Sequence, residues 1–365
     1  MRLIRGTLVI TCILLATLPL TSRTVTLAST QTLEPTQVIT IKPAYGYSAS
    51  PVRVRFSRSE IQVTNRLQWL ATKWIPENPV LPLPTYFLIE PSAENSTTIR
   101  LGRQAMEAVA SLLTRPFDPE PTRTYVVIGR TQEFLRSQLE RVGCFPDLTS
   151  TNGRLLMGAT LCNRQVIVIN LSGYLFLRTR DQSFTPIMEI LPEPPIGATS
   201  YLIADRNISG LAHEWVHVTR ALISRGYVPD NEPAWLREGL AEVLSGMARV
   251  KASQGRMTYR DFHAIRLRKF IKWPANCRES TSAYRDNSSI LGGCEYHRGA
   301  VAVELLIANY GGISKVIELY NNASLTGDFF ASFRNTYGMS IRSFELRADR
   351  YANYISQAAS YSGNS

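Results

Sequence analysis

Apolar and polar positions along the chain follow two rhythms. Between residues 85 and 170, short apolar runs at 86–89, 125–128 and 165–169 are separated by stretches of helical spacing. Leu101, Ala105, Val109 and Leu112 fall on one helix face, then Leu135, Leu139 and Val142 on another, with Gly143 just past its end. Strands alternating with helices are predicted here. A proline-broken loop follows through Pro186, Pro192, Pro194 and Pro195, and 198–204 reads as one more short strand. From Ser209 onward helical patterns dominate, over 233–244, 258–272, 297–309 and 340 to about 355, with Gly226, Gly246, Gly311 and Gly338 punctuating their ends. The expected fold class is α+β, a small mixed sheet followed by a mainly helical half.

Ahead of this domain, residues 29–84 are rich in proline (Pro35, Pro43, Pro51, Pro76, Pro79, Pro82, Pro84) and carry one alternating strand at 52–56 and one helical stretch near 66–74. They read as an extended lead-in segment. Residues 1–28 have the form of a signal peptide: Arg2 and Arg5, an uncharged run over 7–20, then small and polar residues to Ala28. That run is shorter than the roughly 20 apolar residues of a spanning helix, which leaves an uncleaved signal anchor as the alternative. The expected organisation is therefore signal peptide 1–28, lead-in 29–84, main domain 85–355 and flexible tail 356–365.

Export changes how the composition reads. Removing Arg2, Arg5 and Arg23 takes the net charge from +11 to +8, so the mature chain stays basic. That charge is read mainly as solvated surface, with weak association with an anionic envelope surface as a further expectation. The basic stretch around His263 (Arg256, Arg260, Arg266, Arg268, Lys269, Lys272) reads as a surface helix, and no nucleic-acid partner is expected of an exported chain. Of five cysteines, Cys12 falls in the signal and Cys144, Cys162, Cys277 and Cys294 remain, the cheapest loops being 144 with 162 and 277 with 294. No spacing is CxxC, which argues against a cysteine zinc site. Oligomeric state has no signature in the sequence.

The chemistry is concentrated at Leu211-Ala212-His213-Glu214-Trp215-Val216-His217, an HExxH whose neighbours Leu211, Trp215, Val218 and Leu222 repeat at helical spacing. Residues four apart on a helix are separated by about 40° and about 6 Å, so His213 and His217 can reach one metal ion while Glu214 overlooks its open position. The chain has only four histidines, which makes this arrangement a poor product of chance. A catalytic zinc takes three protein ligands. The HExxHxxGxxH alternative is excluded by Arg220 and Ile223, and attention passes to the helix Pro233-Ala234-Trp235-Leu236-Arg237-Glu238-Gly239-Leu240-Ala241-Glu242, where Glu238 is the natural third ligand. Trp215, Trp235 and Leu236 read as packing between the two metal helices.

HExxH followed some twenty positions on by WLxEGLAE resembles the gluzincin clan of zinc peptidases, the thermolysin and aminopeptidase relatives, and especially its peptidase MA-like members, over residues 85 to 355. The resemblance implies a zincin-like domain, one Zn2+ on His213, His217 and Glu238, and peptide or protein as substrate. Glu242 is the alternative ligand, or the carboxylate that orients a histidine. Glu214 would be the general base acting on water. The clan also uses a tyrosine or histidine to stabilise the oxyanion, for which Tyr296 is the candidate and His297 its competitor.

One departure is visible. No GAMEN-type stretch precedes the motif, since Gln104-Ala105-Met106-Glu107-Ala108 lies inside a helix, and endopeptidase action is favoured over aminopeptidase. Gly197-Ala198-Thr199-Ser200 sits where an edge strand would pair with an extended substrate. The rival expectations are a zinc hydrolase of a non-peptide substrate and an inactive zinc-binding interaction module; the intact Glu214 argues against the latter.

Overall fold

The computed structural model describes residues 35–41, 52–74, 84–94, 97–112, 123–144, 154–156, 158–161, 165–171, 174–179, 186–191, 200–224, 229–264, 279–285 and 294–360. The signal peptide expected at 1–28 lies outside them. The architecture is α+β, a small mixed sheet followed by a mainly helical half that carries the HExxH helix.

Strands β1 (Thr36–Ile41) and β2 (Val52–Ser57) form an antiparallel pair, and helix α1 (Arg58–Trp74) follows directly. The main sheet contains β3 (Thr85–Ile89), β4 (Thr124–Gly129), β6 (Gly158–Leu161) and β7 (Val166–Asn170), in the order β3-β4-β7-β6. β3, β4 and β7 are parallel, with α2 (Thr97–Leu112) and α3 (Gln132–Arg141) as the intervening helices. β6 pairs antiparallel with β7 and is the last strand of this sheet among the described residues. Parallel strands covered on both faces read as continuous apolar runs, as Val166–Ile169 does. Val126, Ile128, Ile167 and Ile169 join the main core, whereas Val127, Val166 and Val168 pack on Leu135 and Leu139 of α3.

A second sheet, β5 (Arg154–Leu156), β8 (Tyr174–Thr179) and β9 (Pro186–Leu191), is antiparallel in the order β5-β8-β9. The loop expected through Pro186 is thus partly strand. Pro186 is the first residue of β9, the terminal strand of this sheet among the described residues, a place where proline is tolerated.

The helical half comprises α4 (Ser200–Ile223), α5 (Ala234–Ala252), α6 (Cys294–Asn309), α7 (Gly312–Thr326), α8 (Phe329–Tyr337) and α9 (Ile341–Ser360). Several expectations are corrected here. Residues 200–204 are the first turns of α4, not a strand. Gly246 lies inside α5; a Cβ there would come 2.1 Å from the Phe262 ring, so the glycine admits an aromatic neighbour. The turn between α7 and α8 hides two helices from a periodicity reading, yet Gly327 ends one in the left-handed region and Asp328 caps the next by accepting from the N–H groups of Phe330 and Ala331. The tail expected from 356 continues as helix to Ser360, with Ala358 buried.

The largest correction concerns the lead-in. Residues 52–74 belong to the core: Phe56, Val63, Leu67 and Leu70 are buried in the same cluster as α5 and α6. Helix α1 begins eight residues earlier than its apolar spacing suggested because Ser57-x-x-Glu60 is a capping box. The Ser57 N–H donates to Glu60 Oε2 at 2.6 Å and the Glu60 N–H to Ser57 Oγ at 3.2 Å.

Glu60 has a second task. Its Oε1 lies 3.2 Å from His263 Nε2, while His263 Nδ1 lies 2.8 Å from Glu304 Oε2 of α6 and the Tyr259 hydroxyl donates to Glu304 Oε1 at 2.9 Å. His263, expected on a surface helix, is 1% exposed and stacks against Phe56. Burial alone would lower its pKa, but the Glu304 and Glu60 carboxylates outweigh burial and raise it to about 9. A folded pKa above the ordinary 6.5 means that the pairing stabilises fully below about 6.5 and is lost as pH rises through about 9. Melting temperature should therefore fall across that window. In Glu60→Gln the fall should move to lower pH; an unmoved fall would show that His263 is not the group responsible.

Candidate metal centre

Helix α4 carries the motif because Leu211, Ala212, Trp215 and Val216 are buried. His213 and His217 consequently face Glu238 of α5, while the Glu214 carboxylate meets Thr160 of β6. Trp235 and Leu236 are buried as expected, and with them Glu238 is turned toward the histidines. A buried network fixes the two helices against each other: Arg220 Nη1 donates to both oxygens of Glu232 at 2.8 and 2.7 Å, and the Tyr320 hydroxyl donates to Glu232 as well. Arg220, where the excluded motif would have glycine, is a structural tie between α4 and the entry to α5.

The three expected ligands converge. His213 Nε2 and His217 Nε2 are 3.3 Å apart, and Glu238 Oε2 lies 3.4 Å from the first and 3.3 Å from the second. Ligands held tetrahedrally about 2.0–2.1 Å from one ion stand about 3.3 Å from each other, so this triangle has the dimensions of three ligands to one zinc. Among the described residues no other group of histidine, cysteine and carboxylate side chains is gathered closely enough to hold a metal.

Two neighbours orient the ligands. Glu242 Oε1 lies 3.2 Å from His213 Nδ1, which directs the Nδ1–H outward and leaves Nε2 free to ligate. Arg237 Nε donates to Glu238 Oε1 at 2.8 Å, leaving Oε2 for the shared point. Burial alone would raise the Glu238 pKa, yet His217, His213 and Arg237 hold it well below the usual carboxylate range. Burial would likewise lower His213, but Glu238 and Glu242, with the charge of Glu214, raise it to about 10; burial lowers His217 to about 4.

Glu214, on the same helix, receives a hydrogen bond from the Thr160 hydroxyl on β6, 2.7 Å to its Oε2. Burial raises its pKa, with His213 and Thr160 opposing. The stretch 197–199, expected as the substrate-pairing edge strand, lies outside the described residues, and Ser200 is helical. Among the described residues β6 is the terminal strand of its sheet beside the motif.

Tyr296 is brought in from α6. Its ring stacks on His213 with centroids 5.5 Å apart and planes at 24°. Burial, then the charges of Glu238 and Glu214, push its pKa well above 10, so the phenol keeps its proton as a donor. His297 follows it about 100° round the helix. The approach of α6 depends on two glycines: a Cβ on Gly239 would lie 2.2 Å from the Gly299 carbonyl carbon, and one on Gly299 would lie 2.1 Å from the Trp235 oxygen. Gly239 follows Glu238, and Gly299 is one turn beyond Tyr296, so backbone contact there sets the phenol against the ligands.

Cys144 and Cys294 are buried and disulfide-bonded. Cys162 and Cys277, expected as their partners, lie outside the described residues. Among the described residues no single helix is long and apolar enough to cross a membrane. No protein-family model and no curated protein matches the chain.

Proposed function

We propose that the chain is an exported zinc-dependent peptidase, with one Zn2+ held by His213, His217 and Glu238. The observation that carries this reading is the triangle of two imidazole nitrogens and one carboxylate oxygen at 3.3–3.4 Å, with the Glu214 carboxylate on the same helix and the Tyr296 phenol stacked on His213.

When bound, the ion supplies a Lewis acid that activates water and polarises an acyl oxygen. Glu214 accepts the proton of the attacking water and delivers it to the departing amine. Its burial suits that task by keeping the carboxylate less solvated than a surface glutamate. The Tyr296 O–H donates to the acyl oxygen as negative charge develops there. Glu242 and Arg237 orient the ligands and take no part in proton transfer.

An extended peptide is the favoured substrate because β6, the terminal strand of its sheet among the described residues, runs beside Glu214, and strand addition at such an edge satisfies a peptide's backbone groups. Endopeptidase action is favoured, since a strand-like site reads the middle of a chain. Export is supported by the signal-like first 28 residues and by buried cysteines engaged in disulfides.

Metal analysis of the purified protein beside His217→Ala, with cleavage of unfolded casein in the presence and absence of a chelator, tests the proposal. One zinc per wild-type chain, lost in the variant, with chelator-sensitive cleavage is expected. Zinc without cleavage would point to a non-peptide substrate or an inactive relative, and absence of zinc would overturn the assignment.

A further inference from the structure

We propose that Thr160 is a positioning residue for Glu214, holding one carboxylate oxygen so that the other faces the reacting water. The inference rests on the peptidase reading of the site.

A glutamate side chain has three rotatable bonds, and a general base that samples them freely spends little time within reach of its proton. Glu214 is not held by its own helix, because it projects from α4 toward the sheet. Its Oε2 lies 2.7 Å from Thr160 Oγ1, whose distance to the Glu214 backbone oxygen is longer, 3.2 Å. The hydroxyl has one proton, and the shorter distance and the carboxylate's charge both assign it to Oε2. Oε1 is then the oxygen left to receive a proton.

Thr160 is itself fixed. It lies in β6, paired in register with Ile167 of the buried strand β7, and its branched side chain restricts χ1 in a strand. The sheet therefore sets the direction of the base on α4 through one hydroxyl, across a sequence separation of 54 residues. Because the same strand forms the sheet edge, the base is referenced to the strand expected to receive substrate.

The test uses the purified full chain, zinc-loaded, as wild type, Thr160→Val and Thr160→Ser, with a quenched-fluorescent peptide library as substrate. Valine keeps the shape and removes the hydroxyl, whereas serine keeps the hydroxyl. Thr160→Val should retain one zinc with unchanged affinity and an unchanged KM, while kcat falls about 10- to 100-fold, the range for loss of a hydrogen bond to a charged group. Thr160→Ser should recover most of the loss. Unchanged kcat in Thr160→Val, or loss of zinc from it, would overturn the inference. Should the zinc-loaded wild type cleave nothing, the peptidase reading fails separately. Crystal structures of the two variants then decide the point: the Glu214 rotamer must be kept in Thr160→Ser and lost in Thr160→Val, and a rotamer kept in both would refute the positioning role.

Discussion

Glu214→Gln is expected to retain one zinc per chain and to lower kcat about 10³-fold, within the range for loss of a general base. Glutamine keeps the length of the side chain, and its carbonyl oxygen can still accept from Thr160, so the orientation imposed by β6 survives while the basicity disappears. Metal retention is expected because the triangle of ligand atoms excludes Glu214; those atoms belong to His213, His217 and Glu238. Measuring zinc content together with kcat on the same preparation separates the two roles. Loss of zinc would make Glu214 a ligand, and wild-type turnover would remove it from proton transfer altogether.

Glu238→Ala and Glu242→Ala should separate just as clearly. Glu242 reaches His213 through Nδ1, so its removal loosens one ligand's orientation and should weaken zinc affinity by about 10- to 100-fold. Glu238 presents Oε2 to both histidines, and its removal should weaken affinity further still, beyond about 100-fold, because an inner ligand is lost and not an outer support. Arg237 makes the contrast sharper: without Glu238 its guanidinium loses the carboxylate oxygen it holds at 2.8 Å, and less negative charge then offsets it beside the cation site. Competition titrations against a chromogenic chelator measure both constants. The reverse order would assign the third ligand to Glu242.

These expectations draw unequally on sequence and on tertiary structure. His213, Glu214 and His217 are local: spacing along one helix turn places them together in any fold that keeps the helix. The strands at 124–129 and 166–170 were legible because a covered parallel sheet leaves an uninterrupted apolar signature. Proline content misled over residues 52–74, where the Ser57-x-x-Glu60 capping box was the better signal. His263 misled for a related reason. Basic neighbours suggested a surface, but two buried carboxylates from α1 and α6 give the imidazole an interior partner on each side.

The sequence by itself determined the α+β class and the identities of His213, His217 and Glu214, since both rest on periodicity within short segments. It also singled out Glu238 as the candidate third ligand, through the helix that follows the motif. Only the tertiary structure decided that Glu238 and not Glu242 meets both histidines, that Tyr296 stacks on His213, and that Thr160 holds Glu214. Each of these depends on how separate elements approach: α5 against α4 through the Arg220–Glu232 tie, α6 against α5 through Gly239 and Gly299, and β6 against α4. A helix period specifies which side chains share a face, but the distance between two faces is set by the packing of everything around them.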